Sequence, residues 1–182
     1  MAGTAIKSLA ILLALLPLTV IAQNNNAASA GSPGCGDDAV KFSVKTGQGQ
    51  NLAQPDAGKA VVYFIEDDSN FESSPKPTTR AGLDGKWVGA THGNSYLYFS
   101  VDPAVHHLCA SWQLGVILGK GRKTAAVHFT AEAGGVYYFE VKNIFDSTKY
   151  SETLDMSFIP LDSDEGQLLV NKFALSTSRQ KK

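Results

Sequence analysis

The sequence predicts a mainly β protein: an antiparallel β-sandwich, immunoglobulin-like or transthyretin-like, with one short C-terminal helix. Three observations support this fold class. About nine short segments alternate apolar and polar residues, turn residues separate them, and helical spacing replaces the alternation near the C-terminus. The Cys…Trp…Cys spacing of true immunoglobulin domains is missing, so the pattern predicts the fold class but not the strand order.

Residues 1–22 have the features of a secretory signal peptide. Lys7 precedes the apolar run SLAILLALLPLTVIA, which ends at Ala22 and gives way to a polar segment. Pro17 interrupts the run, which is also short for a hydrocarbon core roughly 30 Å thick. We therefore expect cleavage near Ala22 and a secreted or periplasmic protein with no transmembrane segment. An uncleaved membrane anchor is the alternative.

The rest of the chain is predicted to form one domain between a flexible leader and a basic tail. Residues 23–40 are rich in Asn, Ala, Ser and Gly and are expected to form a leader. The sandwich and its helix are assigned to residues 41–176, and the basic residues 177–182 to a solvated tail. A net charge of −1 argues against nucleic-acid binding, which needs a strongly basic face.

Alternating β-branched and aromatic residues predict the strands. The Asp84-Gly85 pair supplies the positive φ angles of a two-residue turn, so its surroundings are predicted to be a hairpin. Segments 47–58 and 67–79 contain Gly or Pro and are predicted to be loops. The predicted strands lie in segments 41–46, 59–67, 80–91 (the hairpin), 95–102, 105–112, 123–132, 136–144 and 154–161.

The C-terminal segment is predicted to be the only helix. Asp162 and Glu165 form a capping pair, and the apolar residues that follow predict a helix over residues 163–175. Segments 60–65 and 136–139 are apolar on both faces, so each needs a cover on both sides. We therefore expect these two strands in the middle of a sheet, with the helix packed across their outer face.

The two cysteines are predicted to form a disulfide. Cys35 and Cys109 are the only cysteines in the sequence, and in an oxidising compartment such a pair is more often bridged than free. The bridge would close a long loop and so restrict the unfolded chain.

The stretch HHLCASW, residues 106–112, raises the question of a metal site. Strand alternation sends His107 and Cys109 to the side away from the core. If the next strand pairs symmetrically with this one, His128 falls opposite His107. These three side chains would then form a His/His/Cys cluster suited to zinc or copper.

A simpler interpretation is that His107 and His128 lie on a solvated face and that Cys109 is bonded to Cys35. No H-x-x-x-H or C-x-x-C spacing supports the metal cluster. We therefore expect no bound metal and no cofactor.

Catalytic motifs are missing as well. The sequence GNSYL at 93–97 lacks the second glycine of a nucleophile elbow. The sequence DSNFE at 68–72 begins like a calcium loop, but Ser73 and Thr79 stand where that loop needs Gly and Glu. No phosphate-binding or dinucleotide-binding motif is present. We therefore expect that the protein is not an enzyme.

Three aromatic residues give a candidate ligand face. Trp87 lies in the predicted hairpin, and Tyr96 and Tyr98 share one face of their strand. If that face is open, it could stack on a sugar or a peptide. The alternative is that these aromatic side chains pack in the core or across strands.

The segments 55–67 (PDAGKAVVYFIED), 84–112 (from DGKWVGATHG to HHLCASW) and 129–143 (FTAEAGGVYYFEVKN) together resemble DUF2846, a bacterial family of unassigned function. This sequence departs from the family pattern at Ala104, where a turn glycine is usual, and in its long loop at 66–79. The resemblance implies a secreted or surface β-sandwich of the cell envelope. It assigns no catalytic residue.

These observations together predict an exported, non-enzymatic β-sandwich module. It would bind an envelope protein or a glycan through the Trp87, Tyr96 and Tyr98 face or through an open sheet edge. One alternative is a metal-binding protein or metal-dependent enzyme that uses His107, His128 and Cys109. Another is a structural envelope component with no discrete ligand.

Overall fold

The computed structural model describes residues 35–49, 52–114, 116–117, 120–148 and 151–182, which form twelve β-strands and one α-helix. The predicted signal peptide and residues 23–34 of the predicted leader lie outside the described residues. The strands before the helix are β1 (Phe42–Gly47), β2 (Ala60–Phe71), β3 (Thr78–Leu83), β4 (Lys86–His92), β5 (Ser95–Val101), β6 (Val105–Trp112), β7 (Val116–Ile117), β8 (Lys120–Gly121), β9 (Thr124–Thr130), β10 (Val136–Ser147) and β11 (Glu152–Leu161). The helix α1 (Ser163–Lys172) and strand β12 (Ala174–Gln180) follow β11.

Ten of the strands form two facing sheets. The six-stranded sheet has the order β1-β12-β5-β2-β10-β11 and the four-stranded sheet the order β4-β3-β6-β9, while β7 pairs with β8. Most neighbouring strands are antiparallel, but β2 and β10 pair in parallel, as do β5 and β12. The predicted fold class, a mainly β sandwich with one short C-terminal helix, is confirmed, and one further strand, β12, follows the helix.

Strand alternation builds the core between the two sheets. Val62 and Phe64 of β2 face inward and are fully buried. Leu108 and Trp112 of β6 meet this layer from the four-stranded sheet and are equally buried. Because burying each large apolar side chain contributes roughly 1.5–3 kcal/mol, this layer holds the sheets together.

A second apolar cluster lies under α1, on the outer face of the six-stranded sheet. Tyr63 of β2 and Tyr138 of β10 stack with ring centres 5.0 Å apart, and Val170 and Phe173 cover them. At Gly166 a side chain would overlap the Tyr138 ring, so glycine allows the helix to approach the sheet closely. The prediction that the helix covers the central strands β2 and β10 is confirmed.

The ends of α1 follow from its caps. The side chain of Asp162 accepts a hydrogen bond from the Glu165 backbone N–H at 2.9 Å, as the capping pair predicts. The helix ends at Lys172 and not at residue 175, because Phe173 is already extended with ψ 161°. No helix among the described residues is long and apolar enough to cross a membrane.

Residues 174–180 correct the prediction of a solvated tail at 177–182. They form β12, which lies between β1 and β5 in the six-stranded sheet. Ser176 is buried there, and its hydroxyl donates to the Ser95 hydroxyl at 2.8 Å. Most side chains of β12 are polar, so the strand lacks the apolar alternation that predicted the other strands. It also follows the helix directly, and its first residues were assigned to the helix.

The predicted boundary between leader and domain is also wrong, because residues 35–40 are part of the folded domain. Cys35 is buried and bonded to Cys109, and the backbone carbonyls of Asp38 and Val40 accept hydrogen bonds from Arg80 at 3.3 and 3.0 Å. This segment covers the outer face of the four-stranded sheet. A disulfide and hydrogen bonds attach this segment to the sheet, so its attachment does not need an apolar sequence.

Two predictions about the chain around the hairpin have different outcomes. Asp84 and Gly85 both have positive φ angles, 49° and 80°, and connect β3 to β4 as predicted. The predicted loop at 67–79 is too long, because β2 continues to Phe71. Glu66 and Asp68 are buried inside the sandwich, at the point where the strand was predicted to end.

Candidate functional sites

Strand β6 carries HHLCASW and alternates as predicted. The inward side chains are buried, whereas His107 is exposed. The inward residues are His106, Leu108, Ala110 and Trp112.

His106 holds the β3–β4 turn against the start of β6. Its Nδ1 atom lies 2.7 Å from Asp84 Oδ2, and its Nε2 atom lies 2.8 Å from the Asp102 backbone oxygen. Both partners are acceptors, so both contacts are hydrogen bonds when each ring nitrogen carries a proton. Burial alone lowers the pKa of His106, but the Asp102 carbonyl and the Asp84 carboxylate outweigh burial and raise it.

Cys109 is bonded to Cys35, as predicted, with their Cα atoms 5.3 Å apart. The bond ties residues 35–40 to the outer face of β6. It also removes the thiolate from the predicted His/His/Cys cluster, because a sulfur in a disulfide does not act as a thiolate ligand. The three-residue metal cluster is therefore not present in this disulfide-bonded form.

His107 and His128 lie directly opposite each other on β6 and β9, in the register that the symmetric pairing predicts. Both side chains are exposed, and their ring centres are 6.4 Å apart. Among the described residues, no group of three or more His, Cys, Asp or Glu side chains is arranged to hold a metal ion.

The predicted aromatic face is divided between the two sheets. Trp87 lies on the four-stranded sheet, where its indole N–H donates to the Asp37 carbonyl at 2.7 Å and Arg80 lies 4.1 Å from the ring centre. Tyr96 is on the six-stranded sheet and is 1% exposed, within the cluster under α1. Tyr98 is 38% exposed and packs on Tyr63. The structure therefore does not bring the three residues together.

A buried polar cluster that the sequence analysis missed lies between the sheets. Glu66 and Asp68 of β2 continue the inward series of that strand, and both are fully buried. The Asn143 amide of β10 donates to Glu66 Oε1 at 2.8 Å and to Asp68 Oδ1 at 2.7 Å. Thr79 of β3 donates to Glu66 and Trp112 of β6 donates to Asn143. Side chains of both sheets thus meet in one hydrogen-bonded network.

A bulge makes this cluster possible. The parallel register of β2 and β10 shifts between Lys142 and Ile144, which places Asn143 beside the two carboxyl groups. Among the described residues, neither Glu66 Oε2 nor Asp68 Oδ2 has a hydrogen-bond partner.

The two carboxyl groups retain protons more strongly than ordinary ones. Burial, together with the adjacent Asp68, raises the pKa of Glu66 well above its usual value, against the hydrogen bonds from Thr79 and Asn143. Burial also raises the pKa of Asp68 to about 6, although Asn143 and Lys76 lower it. The cluster is enclosed within the sandwich. Its hydrogen bonds connect the two sheets, and the charge of the cluster depends on whether Glu66 and Asp68 are protonated.

A groove of about 500 Å³ opens beside β9, within the size range of ligand sites. Its lining is mainly apolar and aromatic, and the Phe129 ring packs on Tyr137 and Phe139 with centres 5.3 and 4.9 Å apart. The inward residues of β9, Ala125, Val127 and Phe129, are only half-buried. The sandwich is therefore incompletely closed on this side. The lining residues are Ala126, Val127, His128, Phe129, Val136, Tyr137, Tyr138, Phe139, Pro160, Leu161 and Ser163.

The backbone of β9 also has an open side. At the two ends of the β6–β9 ladder, Trp112 N–H donates to Lys123 and Ala131 N–H donates to Ala104. In an antiparallel pair, the backbone groups of successive residues point alternately toward and away from the neighbouring strand. These two bonds therefore show that the backbone groups of Val127 and Phe129 face β6, whereas those of Ala126 and His128 face away from it. No described strand pairs with β9 on that far side.

The four edge strands of the sandwich differ in how they are protected. Edge strands usually carry charges or prolines that discourage further pairing. Lys45 lies on β1, Lys86 on β4, and Asp155 and Pro160 on β11. Strand β9, with the sequence TAAVHFT, contains no Lys, Arg, Asp, Glu or Pro.

Comparisons of the chain with protein-family models, curated proteins and solved structures give no significant match. The resemblance to DUF2846 therefore stays a prediction.

Proposed function

We propose that this protein is an exported, non-enzymatic binding module that takes an extended peptide segment of an envelope partner as an added strand on β9. The observation that carries the proposal is that β9 is an edge strand without a charged residue or a proline and borders an apolar groove. Strand addition at a sheet edge is a common way in which proteins recognise extended peptides.

The backbone of β9 supplies the affinity in this proposal. The N–H and C=O groups of Ala126 and His128 face the open edge, where a partner strand would accept and donate hydrogen bonds. A short stretch around Ala126–Phe129 spans about 10 Å at the usual rise of a strand, which matches three or four residues of a peptide.

The groove supplies the specificity. Alternate side chains of the added strand would point toward Val127 and Phe129 and complete their burial. At the start of β9, an ion pair of 3.8 Å between Lys123 and Asp155 of β11 bridges the gap between the two sheets. We therefore expect apolar residues at every second position of the bound peptide and no requirement for a long one.

Export is part of the same proposal. The Cys35–Cys109 disulfide is typical of proteins in oxidising compartments. Residues 1–22 have the sequence features of a signal peptide, and the resemblance to DUF2846 implies an envelope location. An unassigned envelope partner fits these features better than a cytoplasmic one.

The experiment that tests the proposal is selection from a displayed library of random linear peptides against the protein without residues 1–22. Selected peptides should alternate apolar residues and bind in an extended form. Ala126→Pro removes a backbone N–H that faces the groove, and this change should weaken binding at least tenfold. An edge position tolerates proline, so the variant should still fold.

Thr124→Pro is the matched control. It also removes an outward-facing N–H from β9, but Thr124 does not line the groove. Binding by this variant should equal that of the unchanged protein. A selection that returns no specific peptide, or peptides that bind both proline variants equally, would overturn the proposed function.

A further inference from the structure

The cross-strand histidines His107 and His128 lie next to the proposed peptide site, because His128 lines the groove and its backbone groups face the open edge of β9. The further site concerns their imidazole side chains. We infer that they form a two-imidazole site on the outer face of the four-stranded sheet for a divalent transition metal ion, with Cu²⁺ bound most tightly. The inference rests on their register, exposure and spacing.

The backbone shows that the two residues occupy the closer kind of antiparallel pair. His107 N–H donates to Asp84 Oδ1 at 2.8 Å, and its carbonyl accepts from Asp84 N–H at 2.9 Å. Both groups thus face the β3 side, so no backbone hydrogen bond joins His107 to His128. In such a pair the Cα atoms are about 4.5 Å apart and the side chains are close together.

The ring spacing is near that of a chelate. An imidazole nitrogen binds zinc or copper at about 2.0–2.1 Å, which places the metal about 3 Å from each ring centre and the two centres about 5–6 Å apart. The observed separation of 6.4 Å comes within this range when the two exposed side chains rotate by a small amount.

No basic side chain occupies the adjacent outward positions of β6 and β9, and the carboxylate of Asp84 lies beside His107. The adjacent outward positions on the two strands are Val105, Cys109, Ala126 and Thr130, none of which carries a positive charge. Cys109 is in the disulfide, so the site has two nitrogen ligands and water completes the coordination. Nitrogen ligands bind divalent ions in the order that places copper above nickel and zinc.

Titration calorimetry with CuCl₂ and with ZnCl₂ tests the inference on the disulfide-bonded protein without residues 1–22. We expect one site per chain, tighter for copper than for zinc. His107→Ala and His128→Ala should each weaken copper binding by about a hundredfold, because one ligand of a chelate is lost. Both positions are exposed, so both variants should fold, which circular dichroism checks.

His92→Ala is the matched control, because His92 is exposed on β4 and its Nδ1 lies 2.9 Å from the Pro77 carbonyl. This variant should bind copper as the unchanged protein does. Equal binding by all three variants, or a dissociation constant for copper above about 1 mM in the unchanged protein, would overturn the inference. Peptide selection on β9 reports on the proposed function separately, since it is carried out without metal.

Discussion

The two outer faces of the sandwich are covered by different means. On the six-stranded sheet, α1 lays Val170 and Phe173 over the tyrosines of β2 and β10. On the four-stranded sheet, residues 35–40 lie across β3 and β6 and are fixed by a disulfide and by hydrogen bonds. One cover is therefore apolar and the other polar and covalent.

This difference explains which parts of each face stay open. Apolar contact under α1 hides Tyr96, so the six-stranded sheet keeps little of the aromatic surface that its sequence suggests. The polar segment covers only the side of the four-stranded sheet near Arg80 and Trp87. Strand β9 and the His107–His128 pair lie beyond that cover. The His107–His128 pair therefore stays open on the face whose cover is short and covalent, and the groove opens at the β9 edge between the two sheets.

The largest loss of stability is expected when the disulfide that holds residues 35–40 is removed. Replacing Cys35 and Cys109 by Ala releases a loop with a sequence separation of 74, which costs about 4.5 kcal/mol in the entropic account. Urea unfolding of the variant and of the unchanged protein measures the loss. A loss below about 1 kcal/mol would show that hydrogen bonds alone hold residues 35–40.

The next effect weakens the apolar cover. Phe173→Ala removes a buried ring under α1 and should lower the free energy of unfolding by about 3 kcal/mol. Leu168→Ala, at a position 66% exposed on the same helix, should cost less than about 0.5 kcal/mol. Equal losses in urea unfolding would contradict the assignment of the inner face. Deleting the helix is a weaker test, because the deletion would also remove β12.

The third prediction concerns the carboxyl groups that lie between the two covered faces. The folded-state pKa values of Glu66 and Asp68 are raised, that of Asp68 to about 6. The stability that these two carboxyl groups contribute is therefore fully present below their pKa values in the unfolded chain. It is lost as the pH rises through their pKa values in the folded protein. The raised pKa of His106 acts in the same direction. The protein should therefore be more stable at pH 5 than at pH 8.

Glu66→Gln tests this pH dependence, because it keeps the hydrogen-bonding shape and removes the charge. The free energy of unfolding of the unchanged protein should differ between pH 5 and pH 8. In the variant this difference should be smaller by about 1–3 kcal/mol. Urea unfolding at the two pH values measures it. A variant with the same pH profile as the unchanged protein would show that Glu66 does not titrate in this range.

The smallest effect concerns the hydrogen bonds of the polar cover. Trp87→Phe keeps an aromatic ring beside Arg80 but loses the indole N–H that donates to Asp37. We expect a loss of about 1 kcal/mol in the free energy of unfolding. No measurable change would mean that this hydrogen bond is replaced by water at no cost.

Period-two alternation predicted most strands, and double-sided apolar segments predicted the helix-covered centre of the sheet. The same alternation gave the His107–His128 register because β6 and β9 pair across a nearly symmetric connection. Strand β12 escaped prediction since its side chains are polar. The parallel pairing of β2 with β10 depends on contacts between segments far apart in the chain, which local periodicity does not encode.

The buried carboxyl groups illustrate a further limit. The inward series at 60, 62 and 64 continues to Glu66 and Asp68, so their position follows from the alternation. Polar residues after an apolar run indicated a strand end, because burial of carboxylates is costly without partners. The partner Asn143 is supplied by a bulge on β10, and the sequence of β2 alone carries no sign of it.

Amide hydrogen exchange along β9, resolved by residue in NMR spectra, tests the open edge most directly. In the free protein, the amides of Ala126 and His128 should exchange fast and those of Val127 and Phe129 slowly, because only the latter pair with β6. A selected peptide should slow the exchange of Ala126 and His128. Slow exchange of all four amides in the free protein, or no change when a peptide binds, would contradict strand addition at β9.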